Sequence, residues 1–180
     1  MTVLCVAGGR VVHPDGSVTA ADVLVDQDRG EIVDVGPDPS EEADQVLDAS
    51  GSVVMPGLVN AHTHAAMTLL RGYADDKPLE TWLREDIWPA EAALDSSDVR
   101  AGTDLALLEM IRSGTTAFGD MYFHVPQVVE SVADAGLRAR LGHGIVTVGK
   151  DTETAHDDVD ESLAVAREYD GAAGGGFERP

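Results

Sequence analysis

From Val3 to Ala49 the chain alternates apolar and polar residues over short stretches that turn residues interrupt. Val3-Leu4-Cys5-Val6 runs into Gly8-Gly9, and Val11-Val12 into His13-Pro14-Asp15-Gly16. Val23-Leu24-Val25 is followed by Asp28-Arg29-Gly30, and Ile32-Val33-Asp34-Val35 by Gly36-Pro37. Side chains alternate faces along a strand, and dipeptides such as Asp-Gly reverse it, so these are hairpin signals. They predict a small antiparallel β unit.

After Val53-Val54-Met55-Pro56-Gly57 the pattern changes to strands alternating with helices. Leu58-Val59-Asn60-Ala61-His62 reads as a strand, buried by its composition. Leu79 to Arg84 reads as a short helix. Asp95-Ser96-Ser97-Asp98 caps a long helix from about Asp98 to Arg112. Its Val99, Ala106, Leu107, Met110 and Ile111 fall near helical spacing, and Gly114 ends it. Thr115 to Asp120 is the next strand. Pro126 to Ala135 is a helix with proline in its first turn and Gly136 beyond its end. Arg138 to Gly142, with an extension toward Val146, is a third strand, and a last helix runs from Val159 to Tyr169.

Such repetition means parallel β/α units. About three are present, whereas a closed barrel of this kind needs eight strands and roughly 250 residues. Three parallel strands leave open edges and an uncovered apolar face. Residues 171–180 are Gly-rich and offer no closing element. The expectation is a truncated chain of three parts: a β portion over 1–55, the start of a barrel over 56–170, and a tail over 171–180.

Composition narrows the classes. Hydrophobic residues make up 43% of the chain and aromatics only 4%, so Val, Leu, Ile and Ala must supply the core of a globular domain. No apolar run reaches the roughly 20 residues of a membrane span, and no basic-then-apolar leader opens the chain. Cys5 is the sole cysteine, which rules out an internal disulfide and fits a reducing cytoplasm. Thirty-three acidic against 12 basic side chains give a formal charge of −21. A phosphate backbone is repelled by that surface, so nucleic acid is not expected as a partner. Lys77 and Lys150 are the only lysines, and an acid-rich, lysine-poor surface suits a high-salt cytoplasm that screens self-repulsion.

The strongest chemical signal is His62-Thr63-His64 at a strand end. Residues two apart on a strand share a face, so both imidazoles can approach one metal ion at about 2.0–2.1 Å. Alone, a His-x-His pair is more often a surface or core pair than a metal site. Its surroundings alter the balance. Val54-Met55-Pro56-Gly57-Leu58-Val59-Asn60-Ala61-His62-Thr63-His64 closely resembles the first-strand motif of the amidohydrolase superfamily. The likeness extends through Ala65 to Gly72, Trp82-Leu83, Trp88-Pro89-Ala90-Glu91 and Gly119-Asp120-Met121-Tyr122-Phe123-His124. These stretches resemble the branch that holds 5′-methylthioadenosine/S-adenosylhomocysteine deaminases and related chlorohydrolases.

The resemblance implies an α/β fold: a partial TIM (β/α)8 barrel of about three units, preceded by part of a small β-sandwich. It implies that His62 and His64 bind a divalent metal, with zinc as first choice. It also implies that Glu91 holds ribose hydroxyls; a carboxylate suits a vicinal diol, although a solvated acid is the plain alternative. His143 is a further pocket-lining candidate for the substrate. The pattern expected there has arginine, and histidine weakens the case for homocysteine-bearing substrates. His124 reads as structural, Asp120 as an orienting group, Arg71 as half of an ion pair and Cys5 as a core residue, while His13 and His156 carry no signal.

The implied reaction is hydrolytic deamination of an adenosine-type nucleoside, with ammonia leaving C6 of the purine. The third and fourth histidines, the proton-shuttling glutamate and the final aspartate of the family have no match in this chain. No catalytic residue is therefore assigned, and the 180-residue chain by itself is expected to be inactive. Partners on this reading are a small nucleoside-like substrate, no nucleic acid and no membrane. A homo-oligomer or a complementing C-terminal half stays open. So do a guanine or triazine deaminase, a chlorohydrolase, and a non-catalytic remnant or binding module.

Overall fold

The computed structural model describes residues 2–37, 43–145, 152–169 and 171. The chain divides into two units, residues 1–56 and 57–180. The first is one five-stranded sheet. β1 (Val3–Val12) pairs antiparallel with β2 (Val18–Asp26), and β2 with β3 (Glu31–Gly36). The β1–β2 reversal is closed by the His13 amide on the Ser17 carbonyl at 2.9 Å. At the β2–β3 reversal the Asp26 carboxylate accepts from the amides of Asp28 and Arg29 at 3.0 and 3.2 Å. Satisfying those turn donors accounts for a carboxylate that is only 2% exposed.

The antiparallel expectation holds for these three strands and fails beyond them. β4 (Gln45–Asp48) and β5 (Val53–Val54) both run parallel to β1. Strands of four and two residues are too short to display a period of two, so hairpin logic had nothing to read there. Val3, Cys5 and Leu24 form one small apolar cluster, and Val11, Ala21 and Val23 another. Burial, reinforced by the charge of Asp22, pushes the Cys5 thiol up from its ordinary range.

The second unit is built on a three-stranded parallel sheet in the order β6-β7-β8, namely Leu58–Thr63, Thr115–Tyr122 and Arg138–His143. Between β6 and β7 lie a 3-10 turn over Ala65–Leu70, a helical stretch over residues 79–91, and the long helix α3 (Ser96–Ser113). Helix α4 (Val125–Ala135) joins β7 to β8, and α5 (Thr152–Tyr169) follows. Val99, Ala106, Leu107 and Met110 of α3 pack with Val128 and Val132 of α4 against Phe118 and Tyr122 of β7. Among the described residues no helix is long and apolar enough to cross a membrane.

Three sequence expectations need correction. First, β6 is not buried: Leu58 is 49% and Val59 69% exposed. It is an edge strand, and the helical layer packs on one face of the sheet, leaving Met121 of β7 exposed on the other. Second, the helix expected to stop at Arg84 continues. α1 (Leu79–Trp82) passes through a π turn at Leu83–Ile87 into α2 (Trp88–Glu91). Pro89 follows the π turn directly, and a π turn is where a helix departs from its regular i→i−4 bonding, so the helical path passes the residue that has no N–H. Third, α5 begins at Thr152 rather than Val159; its polar first turns face solvent and needed no apolar stripe. Val146 and the tail beyond Gly171 lie outside the described residues.

Helix α3 starts at Ser96 because Asp95 caps it reciprocally. Its carboxylate accepts from the Ser97 and Asp98 amides at 2.8 and 3.1 Å, while Asp98 accepts from the Asp95 amide at 3.0 Å. The Ser97 hydroxyl also donates to the Asp95 carboxylate, at 2.6 Å, and this bond, then the two amides, hold the Asp95 carboxyl below its ordinary range. Gly114 closes the helix at φ 80°. Gly102 sits where α3 crosses the 3-10 turn, and the Thr68 hydroxyl donates to its carbonyl at 2.6 Å.

Candidate functional site

His62 lies near the end of β6 and His64 directly after it. Their rings approach edge to face, with centroids 5.2 Å apart and planes at 80°. The His64 Nδ1 lies 2.7 Å from the Met121 carbonyl oxygen on the neighbouring strand. A carbonyl only accepts, so Nδ1 carries the hydrogen and Nε2 keeps a lone pair. That second contact is the one metal-binding histidines habitually make. Behind the pair, Asp120 is buried and its Oδ1 accepts from the Ala65 amide at 2.8 Å. Burial raises the Asp120 carboxyl above its ordinary value, against the pull of that amide and of His64 and His62. Asp120 thus fixes the main chain that leaves His64.

Two neighbouring imidazoles are donors of the kind a divalent cation takes, and one has its tautomer set. Among the described residues no group of three or more His, Cys, Asp or Glu side chains gathers there.

Glu91 ends α2, and its Oε1 accepts from the Tyr122 hydroxyl at 2.8 Å. Burial, and then this carboxylate, push the Tyr122 hydroxyl far above its ordinary range, so it is a donor at any working pH. Trp88, Glu91, Tyr122, Phe123, His124 and His143 line a cavity of about 490 Å³. His143 is 7% exposed and stands edge-on to Phe123 with ring centroids 5.9 Å apart. Its Nδ1 is 3.7 Å from Glu161 Oε1, too far for a hydrogen bond. His143 also lines a second cavity of about 360 Å³ with His62, Asp120 and Met121. It lines both the cavity that borders His62 and the cavity that borders Glu91.

His124 occupies the turn between β7 and α4 in the left-handed region, at φ 52°. Arg71 makes a two-pronged ion pair with Glu109 at 2.8 and 2.7 Å. His13 bonds to Thr19 within the first unit, and His156 is exposed on α5. Sequence reasoning missed two contributors, Tyr122 and the Met121 carbonyl. The alternation that puts Asp120 and Tyr122 on one face of β7 was a usable signal for the first; a main-chain oxygen leaves none.

Fold and site together define a β/α protein that presents a histidine pair, suited to a divalent cation, at the carboxyl end of its first parallel strand. The chain belongs to the Amidohydrolase family, whose profile matches residues 53–178. It is 63% identical over 172 residues to a 5-methylthioadenosine/S-adenosylhomocysteine deaminase of Halobacterium salinarum, covering 96% of this chain and 39% of that protein. It is 51% identical over 165 residues to a 5′-deoxyadenosine deaminase of Methanosarcina mazei, covering 91% of this chain and 38% of that one. The chain thus spans about 40% of the length of these curated relatives. Among solved structures, an adenosine deaminase from Xanthomonas campestris with bound zinc superposes with a TM-score of 0.76 at 33% identity, over 92% of this chain and 40% of that one. The atrazine chlorohydrolase of Arthrobacter aurescens complexed with zinc gives 0.81 at 21% identity, over 97% and 45%, which speaks to the fold alone.

Proposed function

We propose that His62 and His64 are ligands of a divalent metal, zinc first, and that Glu91 and His143 face the substrate. On this reading the three-stranded sheet is part of a (β/α)8 barrel, and the activity served is hydrolytic deamination of an adenosine-type nucleoside such as methylthioadenosine or S-adenosylhomocysteine. The observation that carries the proposal is the imidazole pair 5.2 Å apart, with His64 turned by the Met121 carbonyl so that Nε2 is left to bind. The names of the relatives and the zinc in the Xanthomonas structure support it.

A cation held there supplies Lewis acidity that lets water ionise near pH 7. The chain's own residues do the rest of what is visible. His62 and His64 hold the cation; Asp120 anchors the backbone after them; Glu91 offers a carboxylate to the ribose diol. His143 contributes to the lining of both cavities. A chlorohydrolase or guanine deaminase acting on a bare ring has no diol for Glu91, so Glu91 favours the nucleoside. A catalytic zinc uses three protein ligands, and the described residues gather two, so the 180-residue chain is expected to bind zinc weakly and to show no deaminase turnover.

Calorimetric titration of zinc tests the site. The wild-type chain is expected to bind in the micromolar-to-millimolar regime, and His62→Ala or His64→Ala is expected to remove that binding with the fold intact. Zinc uptake unchanged in both variants overturns the ligand assignment. Turnover of methylthioadenosine by the 180-residue chain with added zinc in molar salt overturns the expected inactivity.

A further inference from the structure

We propose that Tyr122 is a positioning residue that fixes the Glu91 carboxylate for a vicinal diol. The inference rests on the reading of Glu91 given above and adds to it the group that sets its geometry. Tyr122 closes β7 and is 4% exposed, its ring packed in the main core and against Phe123 at 5.4 Å between centroids. Glu91 is its opposite: half-buried, at the last residue of the 79–91 helical stretch, on a long side chain with about three rotatable bonds. A phenol held in the core and bonded at 2.8 Å to the end of a longer side chain decides where that carboxylate points.

The stoichiometry of the bond suits a diol. An ionised carboxylate has about four acceptor sites on two oxygens. Tyr122 uses one of them, on Oε1, and leaves Oε2 and a second site on Oε1 for two more donors. A vicinal diol brings two hydroxyl donors at matching separation. The phenol and the ligand's hydroxyls all donate to the carboxylate, and its remaining acceptor sites are enough to take both hydroxyls beside the phenol. Both residues line the same cavity, so a ligand there meets the carboxylate that Tyr122 holds.

A purely structural bond, tying α2 to the end of β7, predicts something different. Losing it would weaken every ligand of the cavity alike. The test therefore compares two ligands, adenosine and 2′,3′-dideoxyadenosine, by calorimetry on the 180-residue chain in molar potassium chloride. The wild-type chain is expected to prefer the diol. Tyr122→Phe is expected to cut that preference about tenfold, the scale of one hydrogen bond to a charged group, with dideoxyadenosine binding unchanged. Glu91→Ala is expected to abolish the preference, and adding Tyr122→Phe to it should change nothing further.

Equal weakening of both ligands by Tyr122→Phe, or a preference it leaves intact, overturns the positioning role while Glu91 stands. A wild-type chain with no diol preference, or one kept by Glu91→Ala, overturns the reading of Glu91 and this inference with it. Should Tyr122→Phe not fold, a crystal structure of the wild-type chain with adenosine decides. The phenol still on Glu91 and the diol on the same carboxylate support the proposal; a hydroxyl turned away from Glu91 refutes it.

Discussion

Replacing a glycine inside a helix by alanine ordinarily stabilises it by up to about 1 kcal/mol. Gly102→Ala is expected to do the reverse. Gly102 lies in the middle of α3, fully buried against the 3-10 turn that follows His64. A methyl group there would collide with the Ala66 carbonyl oxygen and stand 2.9 Å from the Leu69 side chain. Backbone cannot yield as a side-chain tip can, so helix and turn must separate. Overpacking of this kind costs about 1–3 kcal/mol. Separation also stretches the 2.6 Å bond from the Thr68 hydroxyl to the Gly102 carbonyl, worth about 1 kcal/mol. Against the helix gain, the net loss is about 1–3 kcal/mol. Urea denaturation at fixed salt measures it, and zinc titration on the same samples reads whether His64 has moved with the turn, with a several-fold weakening expected. A variant as stable as the parent, with zinc binding unchanged, would refute the close approach of α3 to the 3-10 turn after His64.

Asp120→Ala strands the buried Ala65 amide and is expected to lower stability by about 1–3 kcal/mol in the same assay, whereas Asp120→Asn, which keeps an acceptor, loses less. Burial holds the Asp120 pKa above its unfolded value, so the folded form binds the extra proton and stability falls as pH rises from the ordinary carboxylate range through the raised value. Asp120→Asn should remove that part of the acid-side slope in melts across pH, and an unaltered slope would contradict the assignment. At −21 net charge, raising salt from about 0.1 M to about 1 M shortens the screening length from about 10 to about 3 Å and should raise the melting temperature. The opposing loss of exposed ion pairs, such as Arg100 with Glu130 and Asp134, is small because each is already weakened by water; a melting temperature that falls with salt would reverse this ordering.

What could be read from the chain beforehand depended on whether the signal was local. The His62–His64 spacing, the Asp95 cap, the Gly114 and Gly136 stops and the period of β7 are short-range patterns, and the structure places elements where they pointed. The strength of a motif did not carry over to its surroundings. Leu58 and Val59 look like interior residues by composition, yet burial depends on a covering layer that no five-residue window encodes. The helix read over Leu79 to Arg84 runs on to Glu91 through a π turn, an irregularity that a regular 3.6-residue pattern does not display. The parallel pairing of β4 and β5 on β1, and the Tyr122–Glu91 bond across 31 positions, are tertiary facts with only faint traces in the linear pattern.

The Met121 carbonyl that orients His64 belongs to the main chain, and this has a consequence for redesign. Every amino acid carries that oxygen, so position 121 can be given a different side chain without disturbing the imidazole behind it. Since Met121 also borders the smaller cavity with His62, it offers a place to alter that lining while the orientation of His64 is inherited unchanged from the sheet.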